Sequence, residues 1–212
     1  MNRKTFFCCL CLSAVATAAL AAERVRPPPM SAAEIANNSP DGARIETRLD
    51  ADVTGDGMPD TIFIAANDDH RVLKVMMAYV DEFDTGYQPV GEVEMDVDPL
   101  GAASLSVKKG VLLVEDLTGG TTAIQSLYRY RFDAKARRMR LIGDDVTLYS
   151  RTNAHDSTVI STNRLTGART TTVSKIEGDG YVDQPPKQGK VPTKPVYMED
   201  APLPTDTLGF GG

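Results

Sequence analysis

Tryptophan is absent from this 212-residue chain, and aromatic residues make up only 6% of it. Proteins that stack sugar rings or nucleobases depend on exposed aromatic faces, so a platform of that kind is not expected. Basic residues are also in deficit: 23 Lys and Arg stand against 29 Asp and Glu, for a formal charge of -6. Neutralising phosphates needs basic clusters, which excludes a general nucleic-acid binder. Cysteine is scarce and confined to one place, as Cys8, Cys9 and Cys11. The rest of the chain has no thiol, so neither a disulfide framework nor a Cys-type zinc site can be built there. Beyond residue 21 no apolar run approaches the ~20 residues of a membrane-spanning helix, and an integral membrane protein is not expected.

The cysteines sit in a segment with the three-part build of a secretory signal. Arg3 and Lys4 supply the positive start, Phe6 to Ala19 the apolar core, and Ala19-Leu20-Ala21 an A-x-A cleavage site. An uncleaved anchor is the alternative, but the run is short for a ~30 Å hydrocarbon core. A lipoprotein signal would carry its cysteine after the apolar run, and these come before its end. Residues 1–21 are therefore expected to be removed, leaving 21 basic and 29 acidic side chains and a net charge of -8. The expected location is periplasmic or secreted.

Residues 22–40 read as a linker. Pro27-Pro28-Pro29 imposes extended chain, and Ser31 with Glu34 has the spacing of a capping box, which predicts a short helix over Ala32 to Asn37 before Pro40. At the other end, six of the thirteen prolines fall between Pro185 and Pro204. Residues 177–212 therefore read as an extended Pro/Gly-rich tail without regular sheet or helix, docked through Val196, Tyr197, Met198 and Leu203. Between the ends, over 41–176, the hydrophobic period is two. Strands are predicted over Ala43 to Leu49, Thr61 to Ala66, Val72 to Val80, Ser104 to Val107, Val111 to Glu115, Ser126 to Phe132, Met139 to Ile142, Val146 to Tyr149, Ser157 to Thr162 and Ala168 to Ile176. Turn chemistry separates them at Asn67-Asp68-Asp69-His70, Lys109-Gly110 and Leu165-Thr166-Gly167. Strands at this spacing without intervening helices predict an all-β antiparallel meander of hairpins. Along one of them, Tyr128 and Tyr130 face one way and Arg129 and Arg131 the other, a pattern read as a half-buried strand with a solvated charged face.

The motif with chemical content is Asp52-Val53-Thr54-Gly55-Asp56-Gly57-Met58-Pro59-Asp60. Side-chain oxygens fall at its positions 1, 3, 5 and 9. Hard cations such as calcium take six to eight oxygens at ~2.3 to 2.6 Å, which a curled loop of alternating donors supplies. Gly57, at position 6, permits the turn that swings the Met58 carbonyl inward. Three carboxylates this close repel one another unless a cation lies between them. A metal-free, Asx-stabilised hairpin turn is the competing reading. Strands on both sides of the loop disfavour a helical EF-hand.

This segment resembles the FG-GAP or VCBS-type repeat of integrin-like β-propellers, whose loop runs D-x-[DN]-x-D-G-x-x-D. The match covers the loop and the following Ile62-Phe63-Ile64. The resemblance implies a calcium site with Asp52, Asp56 and Asp60 as side-chain ligands and Met58 as a carbonyl ligand. Thr54 stands where Asn or Asp is usual, a neutral donor that implies weaker binding. The length has room for about three blades, so the body is expected to be a partial propeller-like arrangement or a sandwich. A weaker echo over Gly178 to Asp183 has Lys175 at its first position and reads as a turn rather than a second site.

Catalytic signatures are missing. His70 and His155 are the only histidines, and no G-x-S-x-G, H-E-x-x-H or Walker-type loop occurs. Glu115 and Asp116 read as a solvated strand end. The expectation is a non-catalytic, calcium-binding exported β-domain that acts as a binding or envelope-associated module for a protein or envelope partner. Two alternatives stand beside it: an exported hydrolase assembled from scattered Asp, Thr and His groups, and a metal-independent, inhibitor-like interaction protein.

Overall fold

The computed structural model describes residues 26–178 and 180–210. The expected signal segment, with its cysteines and cleavage site, lies outside them. Two antiparallel sheets stack on one another. The first runs β1 (Arg44–Ala51), β2 (Asp60–Ala66), β3 (Arg71–Val80) and β4 (Thr85–Glu94), in that spatial order. The second runs from β5 (Ser104–Lys108) through β6 (Val111–Gly119), β7 (Thr122–Asp133), β8 (Arg138–Ser150), β9 (Ser157–Asn163) and β10 (Ala168–Glu177) to β11 (Gly180–Asp183). β12 (Lys187–Lys190) adds to β10, and β13 (Val196–Tyr197) adds to β8. The all-β meander expected from the period of two is the fold. Among the described residues no helix is long and apolar enough to cross a membrane.

The core forms where alternate side chains of the two sheets meet. Ile62, Ile64, Leu73 and Val75 of the first sheet pack against Leu112, Val114, Tyr130, Met139 and Leu141 of the second. Neighbouring residues of β2 and β3 point the other way and are buried too. Phe63, Ala65 and Met76 are covered by Met30 and Ile35. Ile35 belongs to α1 (Ala32–Asn37), whose capping box is present: Ser31 N–H donates to Glu34 at 2.7 Å and Glu34 N–H to Ser31 Oγ at 3.2 Å. Burial on both faces explains why β2 and β3 read as continuous apolar runs rather than alternating ones.

Three features depart from the sequence reading. β4 is a full strand where none was predicted. Its Pro89 sits at the sheet edge, beside a register shift opposite Val75 and Met76, where the missing N–H costs no ladder bond. Secondly, the two short strands predicted over residues 139–149 are one, β8, because a bulge at Ile142, opposite Arg129 and Tyr130, absorbs the break in pattern. Thirdly, the extended Pro-rich tail carries regular structure: β11, β12, β13, a 3-10 turn over Met198–Asp200 and α2 (Pro204–Leu208). Five of the tail's prolines lie between these pieces and Pro204 opens α2, while pairing with β8 and β10 supplies the order that local sequence does not. Met198 is wholly buried in the core.

Candidate metal centre and buried ion cluster

The loop from Asp52 to Asp60 joins β1 to β2. Gly55 and Gly57 adopt φ of 82° and 85°, the left-handed region open chiefly to glycine. These reversals curl the backbone around Asp52, which accepts Gly55 N–H at 2.6 Å and Gly57 N–H at 2.9 Å on its two oxygens. Thr54 Oγ1 lies 3.4 Å from Asp52 Oδ1. Asp56 is exposed and accepts Met58 N–H at 2.8 Å. Val53 is buried and anchors the loop to the core.

Asp60 differs in kind. It is fully buried, and its carboxylate takes three backbone donors: Val53 and Thr54 N–H at 2.9 and 3.1 Å, and Ala78 N–H of β3 at 3.0 Å. It thus closes the base of the loop and ties it to β3. Burial pushes its pKa from 3.8 up to about 6 against those three hydrogen bonds, with the Asp56 charge adding to the rise.

The donors fit a hard cation chemically, since all are oxygens and Asp52 and Asp56 sit on the accessible rim. Their present partners, however, are backbone N–H groups. Among the described residues no three acidic, histidine or cysteine side chains converge closely enough to form a metal cage. The stretch Gly178 to Asp183 forms the β10–β11 hairpin, in which Asp183 accepts from Ser174 Oγ at 2.6 Å; Asp179 lies outside the described residues.

A second polar centre escaped the sequence reading. Arg71 is 1% exposed, between the sheets. Its Nε and Nη2 donate to Glu46 of β1 at 2.7 and 2.8 Å, and Nη1 and Nη2 donate to Asp116 of β6 at 2.8 and 2.9 Å. Nη1 also donates to the Asp96 carbonyl at 3.0 Å, which satisfies all five guanidinium donors. Asp116 is therefore buried and paired, not the solvated strand end expected, while Glu115 is exposed. Three residues from three strands leave no local signal; only the fold brings them together.

The histidines lie in separate places, His70 exposed and His155 half-buried. His70 Nδ1 is 3.7 Å from Glu94. His155 Nδ1 donates to the Asp156 carbonyl at 2.7 Å, and its Nε2 lies 2.9 Å from Thr122 Oγ1. The Asp156 carboxylate meanwhile accepts Ile176 N–H, and His155 and Asp156 do not form a dyad. Comparison with protein-family models, with curated proteins and with solved structures returns no match.

Proposed function

We propose that this chain is an exported, non-catalytic interaction module whose β1–β2 loop takes calcium through Asp52, Thr54, Asp56 and Asp60 and the Met58 carbonyl. The observation that carries the reading is the curl of the loop about Asp52, with Gly55 and Gly57 both left-handed. The resemblance to FG-GAP and VCBS-type loops supports it. Calcium there supplies positive charge, which offsets the repulsion among three carboxylates and the cost of keeping Asp60 ionised in the interior. The role is structural: the loop sets where β2 enters the sheet. Its partner would be a protein or another envelope component.

Melting curves for the wild type and Asp56→Ala, each in calcium and in chelator, test the metal. Ligand that binds only the native state stabilises it by ~2.7 kcal/mol at a hundredfold excess over the dissociation constant. For a domain of this size that is a rise of roughly 5 to 10 °C in the wild type. Asp56→Ala should lose the rise. Equal responses in both proteins would mean that the loop is only a turn.

A further inference from the structure

The outer face of the second sheet, away from the core and from the aspartate loop, carries two arginines directly opposite one another. Arg131 on β7 is paired in register with Arg140 on β8, and the same cross-strand row continues through Val111 on one side and Tyr197 on the other. Like charges facing each other across an antiparallel ladder are destabilising. Their neighbours on this face are neutralised: Arg129 by Asp145, and Arg138 by Glu199 at 2.9 Å. Among the described residues neither Arg131 nor Arg140 has a salt bridge or a side-chain hydrogen bond, and Arg140 Nε is buried without a partner. That nitrogen is enclosed by the protein, so the terminal nitrogens of the half-buried Arg140 side chain are the donors it can present to a ligand.

These two side chains line a shallow depression together with Lys135, Ile142 and Leu165. Asp133 lines it too: its carboxylate accepts from Lys135 N–H, Ala136 N–H and the Tyr197 hydroxyl and also feels the charge of Arg140, which leaves Arg131 and Lys135 without a carboxylate partner. The depression thus offers two guanidinium forks and an ammonium beside two aliphatic side chains, in a chain of net negative charge.

The geometry points to a phosphate-binding site here, for a phosphate monoester or diester whose apolar part rests on Ile142 and Leu165. Phosphate suits it better than a carboxylate. Two forks present more donors than the two oxygens of one carboxylate can meet in plane, whereas phosphoryl oxygens accept both. The same chemistry occurs in soluble phosphate esters and in acidic lipid headgroups. This site does not depend on calcium in the loop.

The test titrates the full chain with inorganic phosphate and with octyl phosphate, following the amide signals of Arg131, Arg140 and Ile142 by NMR. A parallel arm sediments it with phosphatidylcholine vesicles with and without phosphatidylglycerol. Saturable shifts at these amides, or phosphatidylglycerol-dependent sedimentation, are expected and tell the two sources apart. Arg140→Gln should weaken binding by about tenfold or more, as loss of a charge-assisted fork does. Arg131→Lys, which keeps charge but loses the fork, should fall between. Arg151→Gln, at an exposed turn, should bind like the wild type. Without phosphate, Arg131→Gln should melt above the wild type because the like-charge pair is relieved. No response to either phosphate or to the vesicles overturns the site, as does unchanged binding in the Arg131→Gln, Arg140→Gln double variant.

Discussion

Arg71 on β3 and Asp116 on β6 meet fork to fork between the sheets, both terminal guanidinium nitrogens donating to both carboxylate oxygens. Glu46 completes the arrangement from β1, so one buried cation serves two anions. Arg71→Met strands both carboxylates and should cost about 3–5 kcal/mol, as breaking a buried pair does. Asp116→Asn leaves the Arg71–Glu46 pair intact and should cost less. Urea unfolding checks the order, and equal losses in the two variants would contradict it.

Glu46 gives the cluster a pH signature. Burial works to raise its pKa, but donation from Arg71 and from Ala103 N–H holds it below the usual 4.5. A depressed carboxylate contributes stability that is present above the unfolded value and lost as pH falls through the folded one. Acid unfolding should therefore begin below about pH 4.5 in the wild type, and Glu46→Gln should flatten that limb.

Asp60 has the opposite sign. With a folded pKa raised to about 6, both states are protonated below 3.8 and the group is neutral in its effect. Between those values the unfolded chain ionises first, and stability falls, on the order of 3 kcal/mol in all. Asp60→Asn lacks that titration but keeps one accepting oxygen where two served three N–H groups, a cost of about 1–3 kcal/mol. In chelator, the stability gap between wild type and Asp60→Asn should narrow as pH rises from about 4 to about 6.5. A gap that widens would remove the case for a desolvated Asp60.

Gly91 on β4 is a packing requirement. A Cβ there would stand 2.8 Å from Met198 Sδ and 2.9 Å from Met139 Cβ. Gly91→Ala should cost about 1–3 kcal/mol by overpacking. Met198→Ala alone should cost about 2–5 kcal/mol through the cavity it leaves. Combined, the two should cost less than their sum, because each relieves the other's defect. Chemical denaturation of the three variants decides it, and simple additivity would count against contact between them.

Tyr128 holds the tail. Its hydroxyl donates to the Pro202 carbonyl at 2.7 Å, and its ring stacks on Tyr130 at 6.2 Å between centroids. Tyr128→Phe keeps the ring and should cost about 1 kcal/mol. Amide exchange should quicken at Ala201 and Thr207 while β6 and β7 stay protected. Uniform loss of protection would mean that the hydroxyl matters to the whole sheet instead.

Local chemistry made some elements legible and hid others. Ser31 and Glu34 marked α1 because a capping box is written within four residues, and Lys109-Gly110 marked the β5–β6 hairpin because both residues take positive φ, 53° and 70°. β4 was hidden by Gly86, Pro89 and Gly91, which read as breakers; an edge position tolerates the proline, and close packing on Met139 and Met198 demands the glycine. In the candidate metal loop the glycines and aspartates were legible as a curl. The inward turn of Asp60 was not, because Ala78 N–H, its third donor, comes from another strand. The Arg71 cluster was invisible for the same reason.

The placement of β13 and Met198 has a consequence for the order of assembly. Met198 fills the core beside Gly91 and Met139, while β13 pairs with Arg140 and Leu141 near the start of β8. Contacts between residues so far apart in the chain form late, after the cost of closing the intervening loop has been met. A chain emerging from the ribosome and still short of Val196 can pair β1 to β4 and β5 to β10 as successive hairpins, yet it lacks the side chain that seals them together. Synthesis from the amino end thus leaves the two sheets unlocked until the tail has been made.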